Sequence, residues 1–174
     1  SMFTNASAFN SNISDWDVSG VTTMSTMFTN ASTFNSNISS WIVSSVTNMS
    51  SMFANASAFD QDISSWIVSS VTNMAGMFDG AESFDQNLND WNISSVTNME
   101  SMFYNALAFN QPLYKWAIGN PNQTVTDVKS MFGVNNGATA SFNQDISNWN
   151  IDYITSDGQL NMFIRANQLN DNFK

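Results

Sequence analysis

Apolar residues stand at fixed places along this chain. Phe3, Phe28, Phe53, Phe78 and Phe103 step by 25 residues, as do Trp16, Trp41, Trp66, Trp91 and Trp116, and Ala6, Ala31, Ala56, Ala81 and Ala106. Self-similarity at that period is the mark of a repeat architecture, in which no unit buries its apolar stripe without its neighbours. The unit is cleanest from Ile38 to Asp60 and contains two different periodicities. Trp41 and Val43 alternate as in a short strand, with Ile38 three residues before Trp41. Met49, Met52, Phe53 and Ala56 then fall at i, i+3, i+4 and i+7, the spacing of one helix face. Thr47 precedes that stretch, where its hydroxyl suits an N-cap, and Thr97 with Glu100 spells a capping box. Each unit is therefore expected to read strand, turn, short helix, loop. Stacked, about six to seven such units predict an α/β solenoid, with short parallel strands on a concave face and short helices on a convex one.

The layout resembles the leucine-rich repeats of the BspA-like type and, more closely, the 25- to 26-residue repeats of bacterial surface proteins. Ile38, Trp41, Val43, Val46, Met49, Met52, Phe53, Ala56 and Phe59 carry the resemblance. Trp and Met replace the usual aliphatic residues at several of these positions. The resemblance implies extracellular display and adhesion or ligand binding.

The later units change spacing. Residues 1–118 form regular units of one repeat domain that spans 1–174. Val125 follows Ile118 by seven positions where Val46 follows Val43 by three, and Phe142 follows Phe132 by ten where Phe34 follows Phe28 by six. Two four-residue insertions therefore fall in an irregular stretch, 119–148, and their Gly, Asn and Pro residues suit surface loops. Residues 149–174, more polar, are expected to be a C-terminal capping unit. Ser1 to Phe3 already lie inside a repeat, so the sequence reads as a fragment of a longer chain whose other parts would anchor it at the cell surface.

Composition narrows the functional classes. Charged residues make up only 10% of the chain, so Asn, Ser, Thr and Gln must supply its surface, and the net charge of −10 leaves Lys115, Lys129, Arg165 and Lys174 as the only cations. That balance argues against nucleic acid and anionic membranes as partners, both of which are bound by basic patches. No stretch is long and apolar enough to insert in a membrane. With no His or Cys, the plentiful hydroxyls have no imidazole base and thiol chemistry is excluded. No catalytic residue is assigned, and no pair of carboxylates is marked for glycosidase work. Cofactors are not expected.

Two candidate chemistries have a plainer alternative. The Trp column would make a sugar-stacking platform if it faced outward, but its place in the strand motif points inward, to the core. Asp15, Asp17, Asp60, Asp62, Asp85, Asp90 and Asp145 offer oxygens that suit calcium. Their equivalents in other units include Asn, Ser and Pro112, so no metal site is assigned, and the Asn residues of that loop are expected to stack as a hydrogen-bonded ladder.

Positions that vary between units are the candidates for binding. With Trp and Val facing in, the outward column runs Asp15/Asp17, Ser40/Ile42, Ser65/Ile67, Asp90/Asn92 and Lys115/Ala117. Ile42 and Ile67 would form a small apolar strip between polar neighbours. Such a strip is either a binding patch or the ordinary preference of a β-branched residue for a strand. The candidate ligand-binding residues are Asp15, Asp17, Ile42, Ile67, Asp90, Asn92 and Lys115. The function expected is a cell-surface adhesion module that presents a concave face to a protein, peptide or glycan. The alternatives are a structural stalk or an ice- or crystal-surface binder, the latter suggested by Thr22, Thr47, Thr72 and Thr97.

Overall fold

A computed structural model describes residues 2–119, 124–150, 152, 154 and 161–163. The expected α/β solenoid is not what forms: among the described residues the one helical element is a 3-10 turn, Tyr114–Trp116, and no named strand or sheet is present. The chain winds instead as stacked coils of successive β-turns.

The physical reason lies in the segment spaced like a helix. Ser51 and Asn55 have φ of 53° and 56°. That left-handed conformation cannot continue a right-handed helix. The same two columns repeat the deviation at Thr26 and Asn30, Gly76 and Gly80, and Ser101 and Asn105. The backbone donors divide accordingly. Met52, Ala54 and Ala56 N–H groups close turns onto the carbonyls three residues back. Met49, Ser51, Phe53 and Asn55 N–H groups donate to Asn73, Ala75, Met77 and Asp79 of the next coil, at 2.6–2.9 Å. One-sided apolar spacing at i, i+3, i+4 and i+7 is thus satisfied by a bent ribbon whose bonds run between coils. Isolated parallel bridges join Thr23, Asn48, Asn73, Asn98 and Asp127 in a row, which sets the coil spacing at about 4.8 Å.

The helix caps are reassigned with the helices. The Thr47 hydroxyl donates to the Thr22 carbonyl at 3.2 Å, and Thr72, Thr97 and Thr126 repeat the bond down the stack. Asn48 is the residue whose side chain accepts a nearby N–H, from Ser50 at 2.9 Å. Thr97 and Glu100 form no capping box: Glu100 N–H donates to the Asn98 side chain.

The strand-like segment fails for a complementary reason. From Ile38 to Val46 the backbone makes two turns, Trp41 N–H to Ile38 and Val46 N–H to Val43. Side chains rather than backbone amides then join this part of one coil to the next. Trp41, Trp66, Trp91 and Trp116 each donate the indole N–H to a carbonyl of the preceding coil, those of Ile13, Ile38, Ile63 and Leu88, at 2.9–3.2 Å. These four rings are buried, so the Trp column is core with one polar handle. Trp16, with no described coil beneath it, is 42% exposed.

Two columns of Phe rings fill the interior. Phe3, Phe28, Phe53, Phe78, Phe103, Phe132 and Phe163 stack with centroids 5.4–5.7 Å apart. Phe9, Phe34, Phe59, Phe84, Phe109 and Phe142 stack at 5.8–6.1 Å. Within a coil the two rings lie 3.8–4.0 Å apart. Phe132 and Phe142 keep that separation across the second insertion, so the added residues bulge outward without disturbing the columns. Residues 120–123 of the first insertion, and most of 149–174, lie outside the described residues.

Candidate functional site

Without a sheet there is no concave sheet face, but the outward column survives as a feature of the coil. Residues flanking each Trp project from the turns at 38–46 and their equivalents, and inter-coil bonds fix the register between neighbours. Ser40 Oγ donates to the Ser14 carbonyl at 2.9 Å and Ser65 Oγ to that of Ser39 at 3.3 Å. Asp17, Ile42, Ile67 and Asn92 consequently share one column, and Asp15, Ser40, Ser65, Asp90 and Lys115 share the one beside it.

Ile42 and Ile67 are 62% and 63% exposed, whereas the other described aliphatic residues are largely buried. They line one open groove of about 210 Å³ with Ser39, Ser40, Ser44 and Ser65. The structure thus brings together the two residues expected to form an apolar strip. Asp15 and Asp17 are exposed one coil before Ile42, and Asp90 and Asn92 one coil after Ile67. Lys115 pairs with Asp90, and the hydrogen bond and charge of that carboxylate raise the ammonium pKa above its ordinary value. Both groups are well exposed, so the pair orients the surface more than it stabilises the fold.

The polar residues of these columns also have a local task. Asp17 Oδ1 accepts the Ser19 hydroxyl at 2.6 Å and the Ser19 N–H at 3.0 Å, and those two bonds hold the carboxyl below its ordinary pKa. Asn92 accepts the Ser94 N–H at 3.1 Å and Asn150 that of Asp152 at 3.3 Å. Asp, Asn and Asn thus close the same small turn in three coils. Ile42 and Ile67 have no acceptor to do so.

Among the acids considered for calcium, Asp60 and Asp85 are taken up by bonds between coils. Asp60 Oδ1 accepts the Asp85 N–H at 3.0 Å and Gln86 Nε2 at 2.7 Å, and Asp85 accepts the Asn110 N–H at 2.8 Å. Asn10, Asn35 and Asn110 make the same bond in their own coils. Asp62 and Asp145 accept from Ser64 and Ser147 two residues on, which lowers their pKa values. A second ladder runs through side-chain amides, Asn55 to Asn30 at 2.9 Å and Asn30 to Asn5 at 2.7 Å. Among the described residues no three acidic side chains converge on one point.

One ionisable group went unnoticed in the sequence. Asp79 occupies the position of Thr4 and Thr29, whose hydroxyls donate to the Thr26 and Ser51 carbonyls. A carboxylate there can donate nothing, and burial pushes its pKa up to about 6. Lining Asp79 up with those Thr residues is the signal that reveals it.

A family described as "Mycoplasma protein of unknown function, DUF285" matches residues 1–70, 40–136 and 120–174. Those segments together span the chain. The chain belongs to this family. Membership establishes a repeat protein of a Mycoplasma protein family whose function is not defined, which is the coarse part of the resemblance read from the repeat. The leucine-rich arrangement of strands and helices is not supported, because the described residues form no named strand and no helix beyond the 3-10 turn Tyr114–Trp116. No curated protein and no solved structure matches the chain.

Proposed function

We propose that this chain is a binding module displayed outside the cell, using the face that holds Ile42 and Ile67 to engage a protein, peptide or glycan. The observation that carries the reading is the groove lined by these two residues. The coils repeat almost unchanged in their interior, yet at this column two adjacent coils replace a turn-closing Asp or Asn by an exposed aliphatic residue. An apolar side chain facing water gains nothing for folding, and exposed apolar groups rimmed by polar ones mark binding surfaces.

The reading is of a binding protein rather than an enzyme. In its support, many of the hydroxyls that recur from coil to coil, such as those of Ser40, Ser65, Thr47, Thr72 and Thr97, are committed to carbonyls of the preceding coil. A stalk fits less well. Each 25-residue coil lengthens the stack by about 4.8 Å, whereas the same residues in one helix would span about 37 Å. Ice or crystal binding keeps one observation in its favour, the exposed Thr column in register, but its hydroxyl protons already point to carbonyls within the ladder.

The test is a screen on protein and glycan arrays with the wild-type chain and with Ile42→Asp/Ile67→Asp. Carboxylates on this face should abolish capture of the ligand while leaving the unfolding transition within about 0.5 kcal/mol, as for exposed sites. A folded double variant that captures every ligand as well as wild type places the function elsewhere.

A further inference from the structure

We propose that the Ile42/Ile67 groove takes an extended peptide that carries an apolar side chain with a basic residue two positions away; this rests on the binding reading above. Three features of the groove converge on that partner.

The first is a pair of vacated donors. In coils where Asp17, Asn92 or Asn150 holds the column, its side chain accepts the N–H two residues on. Where Ile42 and Ile67 hold it, the equivalent Ser44 and Ser69 N–H groups have no acceptor in the protein among the described residues. In the sister coils this N–H points to the side chain at the column. In the Ile coils it therefore opens on the same side as the exposed isoleucines. A main-chain carbonyl beside an apolar side chain satisfies both features at once, as in backbone-mediated peptide recognition.

The second is charge. Asp15 and Asp17 flank the groove on one side with no cationic partner, because the one ion pair among the described residues is Lys115 with Asp90, on the other side. The hydrogen bonds from Ser19 use one oxygen of Asp17, which leaves the second for a ligand. A cation is favoured at one end of the groove, and the opposite end is already neutralised.

The third is spacing. With coils about 4.8 Å apart, the midpoint between Ile42 and Ile67 lies one and a half coils from Asp17, about 7 Å. Side chains on the same side of an extended peptide, two residues apart, are about 6.7 Å apart. An apolar residue seated between the isoleucines thus brings a Lys or Arg two positions away onto Asp17.

The test uses the labelled chain and blocked peptides that are symmetric about the apolar residue, so that either chain direction is sampled. Lys-Ser-Leu-Ser-Lys should shift the Ser44 and Ser69 amide resonances and bind about fivefold more tightly than Glu-Ser-Leu-Ser-Glu at low salt, the scale an exposed charge pair allows. Lys-Ser-Ser-Ser-Lys should bind more weakly than the Leu peptide. Asp17→Asn should narrow the gap between the Lys and Glu peptides. Ile42→Asn/Ile67→Asn installs the residue that the next coil carries at Asn92, so it should fold and should lose the peptide. Equal affinity for the Lys and Glu peptides, or undiminished binding by the Asn variant, overturns the proposal. If an array ligand is lost on Ile42→Asp/Ile67→Asp while no peptide shifts Ser44 or Ser69, the binding face stands and the peptide class falls. If neither array ligands nor peptides respond to these substitutions, both fall.

Discussion

Asp79 shows how one residue behaves when it departs from its column. Thr4 and Thr29 donate a hydroxyl proton to a carbonyl of the next coil, and Asp79, half-buried at the same place, has a pKa raised to about 6 by burial. Its folded-state pKa lies above the unfolded value near 3.9. The folded protein therefore binds the extra proton between these values, and stability falls as pH rises from about 4 to about 6. A two-unit shift corresponds to nearly 3 kcal/mol, which partial exposure to solvent reduces to about 1 kcal/mol. Asp79→Asn should therefore stabilise the protein by about 1 kcal/mol at pH 7 and remove that part of the pH dependence. Urea unfolding at pH 4, 5, 6 and 7 measures both, and a variant whose stability still falls across that range would place the cause elsewhere. Asp17, Asp62 and Asp145 work in the opposite sense: their lowered pKa values contribute stability above about pH 4 that is lost on further acidification.

At the scale of the element, one coil is held to the next by unlike devices on its different sides. Backbone amides do it from Met49 to Asn55, amide and carboxylate side chains at Asn35, Asp60 and Asp85, and indoles at Trp41 and Trp66. That inventory explains why Trp stands where a related pattern has an aliphatic residue. The segment around Ile38 has no backbone ladder to the neighbouring coil, and the indole gives the Ile38 carbonyl a second donor beside the Trp41 N–H. Trp66→Phe keeps most of the packing and removes the bond to the Ile38 carbonyl. The Ile38 carbonyl keeps the Trp41 N–H, so the change should cost about 0.5–1.5 kcal/mol, the net worth of one hydrogen bond, read as a fall in the urea midpoint with an unchanged slope. A cost within about 0.5 kcal/mol, the scale of a neutral surface change, would mean that the indole N–H contributes nothing.

Across the whole molecule, the sequence displayed the period, the interior and the variable outward column, but not the local conformation. Burial of Phe53, Trp41 and Met49, and exposure of Ile42, follow from which positions recur and which vary. The distinction between a helix and a chain of turns does not follow from it. Met49, Met52, Phe53 and Ala56 lie on one side in either case, and the deciding feature is the left-handed conformation at Ser51 and Asn55. Asn in the second column hinted at it, since Asn tolerates that region, while Thr26 and Ser51 in the first did not. Likewise Thr47 looked like a cap because a helix was expected after it, and its hydroxyl serves the stack instead. The unpaired Ser44 and Ser69 donors became visible only once Asp17 and Asn92 were seen closing the equivalent turns.

The measurement that reaches this account most directly is through-hydrogen-bond coupling between amide nitrogens and carbonyl carbons, recorded with the Cα shifts of residues 49–56. Couplings linking Met49 to Asn73, Ser51 to Ala75 and Phe53 to Met77, with non-helical shifts at Ser51 and Asn55, are the predicted result. Uninterrupted helical shifts across that stretch, with couplings to carbonyls four residues back, would contradict it.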